Sequence, residues 1–398
     1  MSEGARQPQF GRSSLWRLGF FFAAYFATAG IFAPYFPLYL EHRGLSAAQI
    51  GIVLAMGQGM RLIGPNVWGY LADRTPHRMA ILRWSALATA ACFMAMFLPG
   101  GFALVFMTMF GVNFFMTAQM PVTEAITSAR LRGSTEPAAL YGRLRACGSI
   151  GFIAFVLLAG PLFDWVGIGW HPYAGLAMFV VCVIAAYLVR DGFTHEPPHE
   201  RVSVRARMKE PRVRWFFVSA ALMVFAHGAL YTYFSLYLAQ LGYSKALIGV
   251  FWVVGVVVEI AFFATQGRVF ARVPVFRLLS FAFVCAVLRF VMIAEFAQMW
   301  ILLLIAQLLH AATFAVHHSA SILLIQKWFP GAAAGRGQAL YISIGYGVGG
   351  TAGSLTAAAL WTSSGPSAAF LSSGAAALIG WWAVRRAARA AAQSDARI

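Results

Sequence analysis

The sequence predicts an all-α integral membrane protein with twelve transmembrane helices in two six-helix bundles, related by a parallel pseudo-two-fold repeat. Three observations lead to this fold class. Hydrophobic residues make up 60% of the 398 residues and charged residues only 11%, whereas soluble domains carry roughly 25% charged residues. The apolar residues fall into long runs, and one segment of the chain occurs twice.

Twelve apolar runs are long enough to cross a bilayer, because a transmembrane helix needs roughly 20 such residues. In chain order, the predicted spans cover 16–40, 47–71, 79–98, 102–128, 146–164, 172–190, 213–238, 246–266, 277–294, 299–326, 338–360 and 366–384. The first run is too long for a cleavable signal, and no small-x-small cleavage site follows it.

The basic residues indicate the orientation of these spans. An even number of spans places both termini and the even-numbered loops on one side, and that side carries 26 of the 30 Lys and Arg residues. Because cytoplasmic loops are enriched in positive charge, we predict that both termini are cytoplasmic in a bacterial inner membrane. The net charge of +17 is therefore attributed to topology, and no nucleic-acid partner is expected.

The repeated segment defines two halves. "GIFAPYFPLYLEHRGLSAAQIG" (30–51) and "GALYTYFSLYLAQLGYSKALIG" (228–249) are identical at 11 of 22 positions at an offset of 198. Six spans separate the copies, so both halves start on the same side of the membrane and form parallel repeats. We predict an N-terminal bundle over 1–190, a cytoplasmic linker over 191–212, and a C-terminal bundle with a short cytoplasmic tail over 213–398.

Charged residues inside the predicted spans indicate functional positions, since such residues are rare and costly in a membrane. They are Arg61, Glu124, Glu259 and Arg289, with Arg145 at the start of span 5. Arg61 and Glu259 are repeat mates at the offset of 198. The two halves therefore place opposite charges at equivalent depths.

The loop between spans 2 and 3 reads "GYLADRTPHR" (69–78). It resembles the G-x-L-[AG]-D-[RK]-x-G-[RK]-[RK] signature of the major facilitator superfamily, with departures at Pro76 and His77. The resemblance implies the two-bundle fold of that superfamily. It also implies a gating role for the matching residues Gly69, Asp73, Arg74 and Arg78.

Two further stretches resemble the lactose permease branch of that superfamily. "PVTEA" (121–125) and "YGRLRACGS" (141–149) match a glutamate and an arginine that face the substrate there, which here are Glu124 and Arg145. A purely structural ion pair is the alternative. Arg289 and His310 match the arginine and histidine of the branch's proton-coupling cluster.

The match to that coupling cluster is incomplete. Thr313 stands where the branch has a glutamate one turn after the histidine. Glu259 is then the best protonatable group that remains in the spans, because burial raises the pKa of a carboxyl group and a nearby arginine lowers it.

Over nearly its whole length the chain resembles the phenylpropionate permease family. The segments that carry this resemblance include "TAGIFAPYF", "RLIG", "VVVEIAFF" and "LLHAATFAVHH". The resemblance implies a secondary active transporter that works by alternating access, with proton-coupled symport of a small organic anion such as an aromatic carboxylate. A proton-coupled sugar or nucleoside symporter is the alternative, and a drug–proton antiporter, a membrane sensor or an enzyme is less favoured.

These considerations predict the site. Substrate-binding side chains are expected at Tyr35, Gln58, Arg61, Asn113, Glu124, Arg145, His227 and Tyr233. Proton coupling is expected at Glu259, Arg289 and His310. We expect no catalytic residue, cofactor or metal, since there is no nucleotide-binding lysine motif and the four cysteines have no metal-ligand spacing. The expected partners of a monomer are the substrate, the proton and the bilayer.

Two other motifs are interpreted as structural. "GYGVGG" (345–350) resembles a dinucleotide loop, but no strand precedes it and it lies within a span, so close helix packing is predicted. His317 and His318 are predicted to be hydrogen-bond partners between helices.

Overall fold

The computed structural model describes residues 12–74, 78–131, 134, 136–190 and 204–395, without the side chains of residues 12–14, 72–74, 138 and 395. All regular secondary structure in these ranges is helical. Within them, 10 helical segments are long and apolar enough to cross a membrane. The prediction of an all-α multi-pass membrane protein is therefore confirmed.

The first half of the chain forms six long helices. They are α1 (Arg12–His42), α2 (Ala47–Arg74), α3 (Arg78–Met94), α4 (Phe102–Leu131), α5 (Pro137–Val166) and α6 (His171–Leu188), with 3₁₀ turns at Ala95–Phe97 and Ile168–Trp170.

The second half is more interrupted. It comprises α7 (Arg205–Met208), α8 (Pro211–Ala226), α9 (Gly228–Gln240), α10 (Lys245–Arg272), α11 (Val275–Phe296), α12 (Trp300–Leu308), α13 (His317–Trp328), α14 (Ala334–Tyr341) and α15 (Thr351–Asp395). Two π-helical segments, Ala311–Val316 and Ile342–Gly350, precede α13 and α15, and Gly331–Ala333 is a 3₁₀ turn.

The repeated segment folds in the same way in both copies at its turn. Gly44 (φ 84°) and Gly242 (φ 87°) end α1 and α9 in the left-handed conformation that favours glycine. Two residues later, the hydroxyls of Ser46 and Ser244 accept hydrogen bonds from the first turns of α2 and α10. The identical Gly and Ser residues of the repeat thus perform the same local task twice.

The spans differ in two places from the predicted set. The α2 helix is not among the 10 candidate segments, and 334–394 counts as a single segment of 61 residues. At 1.5 Å per residue such a helix would be about 90 Å long, three times the hydrocarbon thickness of a bilayer. The helix is interrupted at Gly365 (φ 89°, ψ 178°), directly before Pro366. The count of twelve spans stays a prediction.

The chain forms two compact units. Unit 1 contains 1–32, 64–158 and 170–197, and unit 2 contains 33–63, 159–169 and 198–398. The core of unit 1 is built from apolar side chains of α1, α3, α4, α5 and α6 that are almost fully buried; they include Leu18, Phe21, Phe22, Leu82, Ile126, Leu144 and Val189. The predicted domain boundaries at 190 and 213 stay a prediction, and residues 191–203 of the predicted linker lie outside the described residues.

Candidate functional site

Unit 2 contains a buried polar cluster around Arg289 of α11. The Arg289 side chain is 1% exposed. Its Nη1 donates to Thr313 Oγ1 at 3.0 Å and to His310 Nδ1 at 2.9 Å, and its Nη2 donates to Gln307 Oε1 at 3.1 Å. His227 completes what we call the Arg289 cluster, with Nε2 3.5 Å from Arg289 Nη1. Neutral acceptors thus compensate a charge that would otherwise be costly to bury.

The partners in this cluster fix the protonation of His310. A guanidinium group only donates hydrogen bonds, so His310 Nδ1 must accept, and the ring is neutral with its proton on Nε2. That Nε2 lies 3.7 Å from Glu259 Oε2. The cluster therefore connects Arg289 to the carboxylate of Glu259 through one oriented imidazole.

The tautomer of His227 follows from the same reasoning. Its Nδ1 lies 2.8 Å from the carbonyl oxygen of Met223, which can only accept, so Nδ1 carries a proton. His227 Nε2 is 3.3 Å from Thr313 Oγ1. His227 lies between α8 and α9, where the backbone keeps its helical hydrogen bonds to Met223 and Tyr231.

Local backbone structure places the residues of α12 and its continuation. Gln307 lies on α12, and Thr313 lies in the π-helical segment that follows. Such π-bulges are frequent at functional sites. The rings of His310, Phe314 and His318 stack along this segment, with centroids 5.4 and 6.1 Å apart and 7° between successive planes. The sequence contained these His and Gln residues, but the π-helical segment was not predicted from it.

The predicted repeat mates Arg61 and Glu259 both lie close to Tyr346. The guanidinium carbon of Arg61 lies 5.0 Å from the ring centroid of Tyr346, and both Arg61 and Glu259 lie within electrostatic range of the Tyr346 hydroxyl. Among the side chains that the structure describes, no carboxylate lies within ion-pair distance of Arg61. Tyr231 is within range of the same two charges.

Tyr346 was not identified from the sequence, because it lies in the glycine-rich run that was interpreted as helix packing. The structure supports that interpretation for Gly349 of this run, since a Cβ there would collide with the backbone of α8. The sequence feature that could have drawn attention to Tyr346 was an aromatic residue within a run of otherwise small residues.

A cavity of about 10 Å³ adjoins the Arg289 cluster, which is enough space for one water molecule. Its lining is aromatic and polar and comprises Met223, Val224, His227, Tyr231, Thr313, Phe314, His317, His318, Tyr341 and Tyr346. The predicted histidine pair therefore faces this space.

Unit 1 contains the predicted pair of Glu124 and Arg145. Arg145 Nη1 lies 3.8 Å from Glu124 Oε1, and each side chain is 43% exposed. The Tyr141 hydroxyl lies near Glu124, and the Arg145 guanidinium lies 5.0 Å from the ring centroid of Phe26. The structure brings these two charges together, while their role in binding stays a prediction.

Asn113 and Gln58 lie in different units. The Asn113 amide donates to the Met109 carbonyl of its own helix at 2.7 Å. Gln58 packs beside Gly350 in unit 2, and its Oε1 is buried without a hydrogen-bond partner among the described residues. Gln58 therefore retains an acceptor near Arg61, one turn further along α2.

Tyr35 and Tyr233, both predicted to bind substrate, form reciprocal contacts within unit 2. Tyr35 Oη donates to the carbonyl of Lys245 at 3.4 Å, and Tyr233 Oη donates to the carbonyl of Ala47 at 2.7 Å. Lys245 and Ala47 are themselves repeat mates at the offset of 198. Each tyrosine thus holds the first residue of the other copy's second helix.

Asp164 also contacts the start of α10, and this residue was not identified from the sequence. Its carboxylate accepts from the backbone N–H groups of Lys245 and Ala246, both at 2.9 Å. These are unpaired donors at the N-terminus of α10, where a negative charge is favourable.

The predicted gating residues are only partly described. Gly69 is exposed near the end of α2, and Arg78 begins α3. The side chains of Asp73 and Arg74 lie outside the described residues, so the gating role stays a prediction.

Comparison with known proteins identifies the family. The MFS_1 like family model matches residues 15–372. The probable 3-phenylpropionic acid transporter of Escherichia coli (strain K12) is 29% identical over 347 residues, covering 84% of this chain and 88% of that protein. The maltose permease of Geobacillus stearothermophilus is 25% identical over 333 residues, covering 83% of both.

Solved structures share the fold at low sequence identity. The nucleoside transporter NupG aligns with a TM-score of 0.81 and 15% identity, covering 94% of this chain and 98% of that one. The peptide transporter POT in complex with sulfate aligns with a TM-score of 0.77 and 16% identity, covering 96% of each. The family match and the two curated relatives above are to transport proteins, in agreement with the prediction of a transporter rather than an enzyme. The chain belongs to the MFS_1 like family and is a secondary transporter of the major facilitator type.

Proposed function

We propose that this transporter couples proton entry to the uptake of a small aromatic carboxylate by alternating access. The observation that carries the proposal is the arrangement in unit 2 in which Arg61 and Glu259 act on Tyr346. The similarity to a probable 3-phenylpropionic acid transporter supports the same substrate class.

Among the three candidate arginines, Arg61 is best suited to hold the substrate carboxylate. Arg289 is buried and donates to three neutral side chains, and Arg145 is paired with Glu124. Arg61 is exposed, and its guanidinium carbon lies 5.0 Å from the ring centroid of Tyr346. Its N–H edge stays available for the bidentate geometry that a carboxylate prefers.

An aromatic substrate would suit the surroundings of Arg61. With its carboxylate on the guanidinium edge, its ring would lie beside Tyr346. Aromatic pairs are worth about 0.5–1.5 kcal/mol beyond the area they bury. Tyr231, whose centroid lies 6.3 Å from that of Trp252 in a stacked arrangement, extends the aromatic surface.

Glu259 is the proton carrier in this mechanism. The contact with Arg289 keeps His310 neutral and points its Nε2–H at Glu259. When Glu259 is ionised, its negative charge opposes a substrate carboxylate near Arg61. Protonation removes that charge, so proton and substrate bind together, and both leave after the two bundles have rocked.

For the topology, we infer twelve spans in a bacterial inner membrane, with both termini cytoplasmic. Counting α2 as a span and dividing 334–394 at Gly365 adds two spans to the candidate segments. The distribution of Lys and Arg supports the orientation. The transporter is proposed to act as a monomer without a cofactor.

Sugar or nucleoside symport is the second candidate function. The half-exposed pair of Glu124 and Arg145 beside Phe26 offers hydrogen-bond donors, acceptors and an aromatic face to a polyhydroxylated substrate. A maltose permease and a nucleoside transporter are among the similar proteins.

Uptake into proteoliposomes tests both candidates. Labelled 3-phenylpropionate, maltose and uridine are compared with and without an inward proton gradient. We expect gradient-driven accumulation of the aromatic acid only. Accumulation of maltose or uridine instead would overturn the carboxylate proposal and favour the Glu124–Arg145 site.

A matched pair of variants tests whether Arg61 binds the substrate carboxylate. Arg61→Gln is expected to lower uptake of the aromatic acid by about 100-fold, because it removes the group that binds the carboxylate. Arg277→Gln removes one exposed positive charge elsewhere in unit 2 and should transport normally. Equal uptake by the two variants would remove Arg61 from the site.

A further inference from the structure

The start of α8 and the end of α15 carry a cluster of tryptophan and arginine side chains that the transport mechanism does not use. The indole rings of Trp215 and Trp382 meet edge to face, with centroids 5.0 Å apart and an interplanar angle of 87°. The guanidinium carbon of Arg386 lies 5.6 Å from the first ring and 5.5 Å from the second. Two aromatic faces thus hold one guanidinium group.

Neighbouring arginines add to the positive charge of this cluster. Arg385 lies 4.8 Å from the ring centroid of Trp381, and Arg389 follows one turn after Arg385 on α15. All three arginines are exposed. Within the part of the chain that the structure describes, none of them has a hydrogen bond or an ion pair to a protein acceptor. Arg214, next to Trp215, is also exposed.

The geometry leaves the hydrogen-bonding edges of these arginines available. A cation–π contact places the positive charge over an aromatic ring, but it supplies no hydrogen-bond acceptor for the five N–H groups of the guanidinium. Arg386 is therefore held in one place by its ring contacts, and its donors remain free. A planar fork of this kind matches the oxygens of a phosphate group.

The same face of α15 is apolar before it becomes basic. Leu371, Leu378, Ile379 and Trp382 are exposed by 42–56%, and their spacing of 7, 8 and 11 residues places them on one side of a helix. Arg386 follows one turn after Trp382. An apolar strip that ends in indole rings and arginines is the pattern of a surface that meets acyl chains and then headgroups.

We propose that this cluster is a binding site for an anionic phospholipid. The phosphodiester binds the edges of Arg386 and Arg385, and an acyl chain lies along the strip that ends at Trp382. A zwitterionic lipid would bring its own positive charge to a site that already holds several, so the site should select phosphatidylglycerol over phosphatidylcholine.

Native mass spectrometry of the full-length protein in detergent tests the proposal with phosphatidylglycerol and phosphatidylcholine of identical acyl chains. We expect phosphatidylglycerol to bind about tenfold more tightly, and Arg386→Gln to remove most of that preference. Arg277→Gln, an equal loss of charge without indole contacts in the described structure, should retain it. Equal binding of the two lipids, or an equal loss in both variants, would overturn the site.

Two additional measurements test the role of the tryptophan and distinguish a lipid site from a simple anion site. Trp382→Leu should weaken phosphatidylglycerol binding, whereas Trp300→Leu, at an exposed tryptophan on α12 (58% exposed), should not. Excess inorganic phosphate should fail to displace the lipid, because it lacks the acyl chain. Full displacement by phosphate would identify a simple anion site and overturn the lipid proposal. If a variant does not fold, the lipid preference of the unmodified protein decides.

Discussion

The Arg289 cluster and the Glu124–Arg145 pair both place an arginine among polar groups, yet they differ in burial and in partners. Arg289 is 1% exposed and donates to the neutral side chains of Gln307, His310 and Thr313. Arg145 faces a carboxylate at 3.8 Å, and both side chains are 43% exposed.

The difference shows which arginine is structural and which can exchange partners. Leaving a buried acceptor without its donor costs about 1–3 kcal/mol, so the Arg289 contacts are expensive to break and fix the orientation of His310. A half-exposed ion pair is worth about 0–1 kcal/mol. Glu124 and Arg145 can therefore separate at little cost, as a substrate contact requires.

The largest effect is expected from Arg289→Gln. This change leaves acceptors of His310, Thr313 and Gln307 without their donor, so we expect a loss of about 3 kcal/mol in the free energy of unfolding and of all measurable transport. Thermal unfolding in detergent and uptake assays measure both quantities. Arg145→Gln is the control and should unfold near the native temperature; a stable Arg289→Gln protein would contradict the comparison.

Glu259→Gln tests whether the cluster serves proton coupling. The amide cannot take up a proton, so proton-driven accumulation should be abolished while exchange of preloaded substrate continues. Uptake into proteoliposomes is measured with a proton gradient, and counterflow is measured without one. Accumulation at the native level would remove Glu259 from the proton path.

Thr313→Val removes one acceptor of Arg289 without a change in shape. The loss of this hydrogen bond is expected to destabilise the protein by about 1–2 kcal/mol, measured by thermal unfolding. Thr313→Ser keeps the hydroxyl and serves as the control. Equal unfolding temperatures for the Val and Ser variants would show that the hydroxyl contributes nothing to the cluster.

The smallest effect is expected for the pair in unit 1. In a double-mutant cycle of Glu124→Gln and Arg145→Gln, the coupling energy in unfolding should be below about 1 kcal/mol. A coupling of several kcal/mol would mean that the pair is as rigid as the Arg289 cluster, and the distinction between the two regions would fail.

The repeat shows how much of the structure could be predicted from the sequence. It predicted that the two segments are the same unit used twice, and the structure shows Gly44 and Gly242 in the same left-handed conformation at their turns. It also led to Tyr35 and Tyr233 as substrate-binding candidates. The structure places both hydroxyls on backbone carbonyls at helix starts, a pairing that no local pattern encodes, and their role in substrate binding stays a prediction.

The sequence by itself determined that the chain is a helical membrane protein, where most spans lie and which charges lie within them. Composition and run length are sufficient for these, since the cost of placing polar groups in hydrocarbon acts at every position. Tertiary structure decided which partner each charge has. Arg289 meets His310 and Thr313 of another helical segment, and Arg61 meets Tyr346 across 285 residues of sequence.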